Sequence, residues 1–149
     1  MPRWSARSPN PGKTSMTVSD CQSMPLNSPE DIVTVRQAVR RQAVAMGFGI
    51  VDQTKIVTAA SELARNTVDY GGGGAVRIEV VRNGIRSALR LVFEDQGPGI
   101  ADIEQALKDG FTTGHGMGLG LGGARRLSHE FEIESKPGAG TRVSVLRWK

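Results

Sequence analysis

The 149 residues, 38% hydrophobic and 23% charged, have the balance of one soluble globular domain and not of a disordered or membrane-embedded chain. No apolar run approaches the ~20 residues of a membrane-spanning helix, and the first residues lack the apolar core of a secretory signal, so a cytoplasmic protein is expected. The net charge is +4, and the only cysteine, Cys21, excludes an internal disulfide and a thiolate metal cage.

The charge is not concentrated in the body of the chain. In residues 1–27, Arg3, Arg7 and Lys13 stand against Asp20, giving +2, which leaves +2 for everything after. Only Arg40-Arg41 and Arg125-Arg126 are adjacent basic pairs, and aromatics make up 5%. A nucleic-acid surface wants clustered or aromatic-interleaved basic residues, so neither a nucleic-acid nor a membrane partner is expected.

Residues 1 to about 20 are rich in Pro, Ser, Asn and Gly without a hydrophobic period and read as a disordered tail before a single domain over 21–149. Gly12-Lys13-Thr14 within it imitates a phosphate-binding loop, but Arg7 stands where that loop needs glycine and no strand precedes it. Cys21 to Leu26 is expected as an edge strand because of Pro25. Ser28, Pro29, Glu30 and Asp31 then give a helix start, with N-cap, proline in the first turn and acidic residues beside the dipole. Ile32, Val35, Val39, Ala43 and Met46 form its apolar stripe, and Gly47 ends it.

Asp52 is the expected cap of a second helix running through Ile56, Ala60 and Leu63 to about Tyr70, stopped by Gly71 to Gly74, which read as a flexible turn. In this helix Glu62 and Asn66 are four residues apart and leave one face, while Leu63, Ala64, Thr67 and Val68 face the core. Such a pair can serve one site, the carboxylate as a base and the amide oxygen as a metal ligand; alone, it reads first as a surface helix with two polar residues one turn apart.

Alternation takes over at Val76, Ile78 and Val80, with Arg77 and Glu79 on the opposite side. Asn83-Gly84 signals a hairpin, and the return strand sends Leu89, Leu91 and Phe93 inward before ending at Glu94 and Asp95. Asp95-Gln96-Gly97-Pro98-Gly99 places a carboxylate at a strand terminus with exposed backbone around it, able to accept a hydrogen bond from an exocyclic amine such as that of adenine.

Ile103 to Lys108 read as a short helix. Phe111 to Met117 have no period and are flanked by glycines, the pattern of a lid. Gly116 to Leu127 form a third motif, whose glycines let backbone N–H groups face a phosphate at the start of a helix. Gly118, Gly120 and Gly123 also satisfy G-x-G-x-x-G, but a dinucleotide fold fails for lack of a preceding strand and of a later acidic residue. Phe131 and Ile133 define a strand with Glu130, Glu132 and Glu134 outward. After the turn at Pro137 to Gly140, Thr141 to Trp148 return with Val143 and Val145 alternating. Thr141 is placed to point back toward the site, and His115 and His129 read as ordinary surface or loop histidines.

Glu62-x-x-x-Asn66, Asp95-x-Gly97-x-Gly99 and Gly116-x-Gly118-x-Gly120, in this order, resemble the N, G1 and G2 boxes of the GHKL superfamily of ATPases and kinases. The short chain is similar to the single-domain anti-sigma and switch kinases. The wording Ser61 to Asn66, Glu94 to Ile100 and Asp109 to Thr113 resembles the RsbT-type serine kinases of the stressosome, and the resemblance spans about residues 22–149. It implies the Bergerat ATP-binding fold, an α/β two-layer sandwich with a mixed, mainly antiparallel sheet covered by helices on one face.

It also implies ATP and Mg²⁺ as ligands: Asn66 on the metal, Asp95 on the adenine amine, and Gly97 and Gly99 close to the base. Gly116, Gly118, Leu119 and Gly120 would wrap the phosphates, with Thr112 and Thr113 beside the nucleotide. Thr141 would support Asp95, and Glu62 would orient and deprotonate the acceptor hydroxyl. The partners implied are a STAS-domain substrate protein and a PP2C-type phosphatase. The alternative is a non-catalytic module that binds a sigma factor or phosphatase under control of ATP.

Overall fold

The computed structural model describes residues 16–108 and 120–149. Five strands, β1 (Thr17–Leu26), β2 (Gly74–Asn83), β3 (Arg86–Asp95), β4 (Glu130–Ser135) and β5 (Thr141–Trp148), form one sheet in the order β1-β2-β3-β5-β4. All four pairings are antiparallel. The helices are α1 (Pro29–Ala45), α2 (Ile50–Arg65), α3 (Ile103–Ala106) and α4 (Gly120–Arg126).

Period-two alternation decides which face of the sheet they cover. Val76, Ile78, Leu89, Leu91, Phe93, Val143 and Val145 leave one side and join Val35, Val39, Ile56, Leu63 and Ala124 in one core. Each such Val, Leu, Ile or Phe side chain contributes about 1.5–3 kcal/mol when fully buried. On the other face, Val81, Ala88 and Leu146 form a small cluster. Glu79 points to that face as expected but is only 6% exposed. Arg77 at 3.2 Å and Arg90 at 2.6 Å enclose its carboxylate, and a charge covered in this way needs such partners.

The start of α1 follows its sequence closely. Ser28 Oγ accepts the Asp31 N–H at 3.3 Å, and Asp31 Oδ2 reaches back to accept the Asn27 N–H at 2.9 Å, so two free donors are satisfied. Gly47, at φ 88°, lets the chain leave the helix.

Several boundaries differ from expectation. β1 begins at Thr17, inside the segment read as tail, because pairing with Arg82 and Val81 extends the ladder beyond Cys21. The cap of α2 is Gly49, with no side-chain hydrogen bond, and not Asp52. Asp52 Oδ1 accepts instead from Arg147 Nη2 at 2.6 Å and Nε at 3.1 Å, tying the first turn of α2 to β5. The hairpin pairs Asn83 with Arg86, so Gly84-Ile85 is the loop, one residue beyond the expected turn. The N-terminal phosphate-loop mimic lies outside the described residues.

Candidate functional site

A cavity of about 260 Å³ opens where α2 ends, bounded by Phe93 and Val143 of the sheet, by Ile100 beyond β3 and by Leu121 of α4. Those four side chains are apolar. Polar residues line it as well, among them Asp95 and Thr141 from the sheet and Glu62, Arg65 and Asn66 from the helical wall.

Asp95 closes β3 between Gly74 of β2 and Thr141 of β5, so register alone brings Thr141 beside it. The residue is 8% exposed. Its Oδ1 accepts the Gly97 N–H at 2.9 Å, and the Thr141 N–H also donates to the carboxylate. Burial pushes the carboxyl above its ordinary range, and the two N–H groups offset part of that rise.

Gly71 lies directly against this carboxylate, and a Cβ there would overlap Asp95 Cγ and Oδ2. The expected flexible turn is therefore a close-packed contact at its first residue. Gly99 has φ 78°, and a Cβ on it would overlap the Lys136 carbonyl. The loop after β3 is thus pressed onto the β4–β5 turn, where the Gly138 N–H donates to the Pro98 carbonyl at 2.7 Å. Ser135 joins the same contact: its Oγ accepts the Ile100 N–H at 2.7 Å and lies 2.8 Å from Thr141 Oγ1.

The helical wall changes pitch at the site. The α-helix ends at Arg65, and Asn66–Tyr70 form a π-helical turn in which the Gly71 N–H donates to the Asn66 carbonyl at 2.9 Å. Such wider turns recur at functional sites because they re-aim side chains. Here the turn keeps Glu62, Asn66, Asp69 and Tyr70 along the cavity and delivers Gly71 to Asp95. Glu62 is 7% exposed, and its Oε1 accepts from Arg65 Nη1 at 3.0 Å.

Glu62, Asn66, Asp95, Gly120 and Thr141 therefore border one cavity, while Gly97 and Gly99 shape the loop beside it. Thr112, Thr113, Gly116, Gly118 and Leu119, like the expected lid and His115, lie outside the described residues. Arg65, Gly71 and Ser135 were not expected. The run of four glycines just after Asn66 signalled Gly71, whereas Ser135 had only its inward register in β4. His129 accepts the Trp148 N–H on Nδ1 at 2.9 Å and is not among the cavity-lining residues. Among the described residues, no group of three or more His, Cys, Asp or Glu could hold a metal ion.

The family model of histidine kinase-, DNA gyrase B- and HSP90-like ATPases matches residues 51–149. The chain is 48% identical over 118 residues to the serine/threonine-protein kinase RsbT of Bacillus subtilis, covering 79% of this chain and 89% of that one. It is 30% identical over 119 residues to an anti-sigma F factor of a Thermoanaerobacter species, covering 76% and 82% respectively. Among solved structures, the RsbU and RsbW domains of a Mycobacterium tuberculosis protein align with TM-score 0.62 at 21% identity, over 88% of this chain but 33% of that longer one. The mycobacterial sensor histidine kinase MprB aligns with TM-score 0.51 at 18% identity, over 87% and 97%. At these identities the structural likenesses speak for the fold alone.

Proposed function

The chain belongs to the histidine kinase-, DNA gyrase B- and HSP90-like ATPase family, and on that premise we propose that it is a serine/threonine protein kinase acting as a partner switch. It binds Mg-ATP in the cavity beside α2 and transfers phosphate to a serine or threonine of a STAS-domain protein. The observation that carries this reading is the meeting of a buried acceptor, Asp95, with the Glu62–Asn66 pair in one cavity.

Asp95 has the chemistry to accept the adenine amine, and a hydrogen bond to a charged acceptor is worth roughly 1.5–3 kcal/mol. Thr141 supports it from the adjacent strand, and Gly97 and Gly99 keep the loop backbone close. Asn66 offers one hard amide oxygen. That fits Mg²⁺, which prefers to keep waters and phosphate oxygens around one or two protein ligands and needs no carboxylate cage. When bound, the ion neutralises charge across the phosphates. Gly116, Gly118, Leu119 and Gly120 are assigned to wrap the phosphates, and Thr112 and Thr113 to flank them.

In the transfer, the acceptor hydroxyl oxygen bonds to the γ-phosphorus while the bond to the β,γ-bridging oxygen breaks and ADP leaves with that electron pair. The hydroxyl proton passes to the Glu62 carboxylate. Orientation of the hydroxyl contributes along with proton removal, because phosphoryl transfer rests mainly on positioning and charge stabilisation. Loss of affinity for the phosphorylated partner then frees the kinase, in the cytoplasm, to engage a PP2C-type phosphatase within a stressosome pathway. No described helix is long and apolar enough to cross a membrane.

Similarity to anti-sigma F factors favours a second reading, in which ATP only sets a surface that holds a sigma factor. Glu62 separates the two, since a pure binder has no need of a base. Labelled ATP is incubated with candidate STAS proteins: the wild type labels one of them, and Glu62→Gln binds nucleotide normally but transfers about 10²–10⁴-fold more slowly. Undiminished transfer by Glu62→Gln would remove the base, and capture of a sigma factor without any labelling would favour the second reading.

A further inference from the structure

We propose that Arg65 is the positioning residue for Glu62: its guanidinium holds one carboxylate oxygen and leaves the other for the acceptor hydroxyl. This deepens the kinase reading and rests on Glu62 acting as the base.

Glu62 is 7% exposed, so its charge needs a partner, and among the described residues Arg65 is the side chain that supplies one. The contact runs from a single nitrogen, Nη1, to a single oxygen, Oε1, at 3.0 Å. A guanidinium can fork across both oxygens of a carboxylate; here it engages one, and Oε2 makes no hydrogen bond with the described residues. Both residues border the cavity, so the pair stands where the acceptor must arrive.

Their placement is also rigid. Glu62 and Arg65 occupy the last α-helical turn before the backbone widens at Asn66, and Leu63 and Ala64 between them are buried in the core. The carboxylate is therefore aimed from a fixed helix, which is how a group is held within the narrow geometry that transfer demands. The Arg65 side chain is 34% exposed, open enough to be removed without leaving a buried void.

An ordinary helix ion pair at this spacing would affect folding only, and an arginine touching the phosphates would act without Glu62. Three readouts separate these roles: nucleotide affinity by calorimetry, thermal melting, and single-turnover transfer to the partner protein. Arg65→Ala is expected to slow transfer by about 10–100-fold while nucleotide Kd stays within about twofold, and Arg65→Lys is expected to recover part of the rate. In the Glu62→Gln background, Arg65→Ala should add no further loss, because the two residues act as one unit. An equal loss in both backgrounds, or a lower Tm with an unchanged rate, would overturn the proposal. If Glu62→Gln itself transfers at the wild-type rate, the base assignment falls instead, and the rate of Glu62→Gln alone shows which of the two has failed.

Discussion

Asp95 holds a carboxylate where charge is costly, 8% exposed and with its carboxyl pushed up by burial. Asp95→Asn preserves shape and removes that charge. It is expected to melt at or above the wild type at pH 7 without ligand, yet to bind nucleotide about 10–150-fold more weakly for want of the charged acceptor. Calorimetry and a melting curve check both halves; a variant that binds as well as wild type would remove Asp95 from the adenine site. The position of Asp95 at a strand end before two spaced glycines was legible, although the same pattern also fits an aspartate that caps its own turn, as the bond it accepts from the Gly97 N–H shows. Gly71 was not, since its need for a missing side chain arises only once Asp95 has been folded against it. Gly71→Ala would drive a methyl into that carboxylate, so a destabilisation of about 1–3 kcal/mol is expected. Nucleotide affinity should fall with it, measured by denaturant titration and binding on the same sample.

Helices showed the same division between local and tertiary causes. The start of α1 could be read directly, because Ser28 caps the Asp31 N–H, Asp31 takes the Asn27 N–H, and Pro29 sits in the first turn where no N–H is needed. Ser28→Ala should cost about 1 kcal/mol, a Tm lower by about 2–4 °C, with nucleotide affinity unchanged because α1 does not border the cavity. A loss of affinity would show that α1 and the site are coupled. The start of α2 misled: Asp52 is a good capping residue, but Arg147, distant in sequence, offers it two charge-assisted donors and leaves the cap to Gly49. The π-helical turn at Asn66–Tyr70 carries no periodic signature either. Thr67 Oγ1 bonds back to the Leu63 carbonyl at 2.9 Å, and the wider turn lets Gly71 reach Asp95.

Across the whole molecule, the three boxes were visible as separate local patterns, but what backs the second of them is the pairing of β3 with β5, which puts Thr141 opposite Asp95. That long-range register leaves no mark in either strand: the turn before Thr141 pointed it toward the site, and its pairing with Asp95 was expected only from the family resemblance. Contacts between distant parts of the chain also set the response to pH. The carboxyl of Asp52 is held below 3.8 by its hydrogen bond from Arg147, so its contribution is present above 3.8 and fades as pH falls through the folded value. His129 is lowered from 6.5 by burial and by Arg147, and its Nδ1 must stay unprotonated to accept the Trp148 N–H. The unfolded chain takes that proton first, so stability declines as pH drops below about 6.5. Asp95 has the opposite sign. Its folded value is raised, so its share of stability is full below 3.8 and is lost as pH rises through the raised value. Asp95→Asn abolishes only that opposing contribution. Its advantage in Tm over the wild type should therefore be largest near pH 7 and shrink toward pH 4, as the native carboxyl takes up its proton. Melting curves of both proteins without nucleotide across this range test the linkage, and a gap independent of pH would mean that the buried Asp95 charge does not tax the fold.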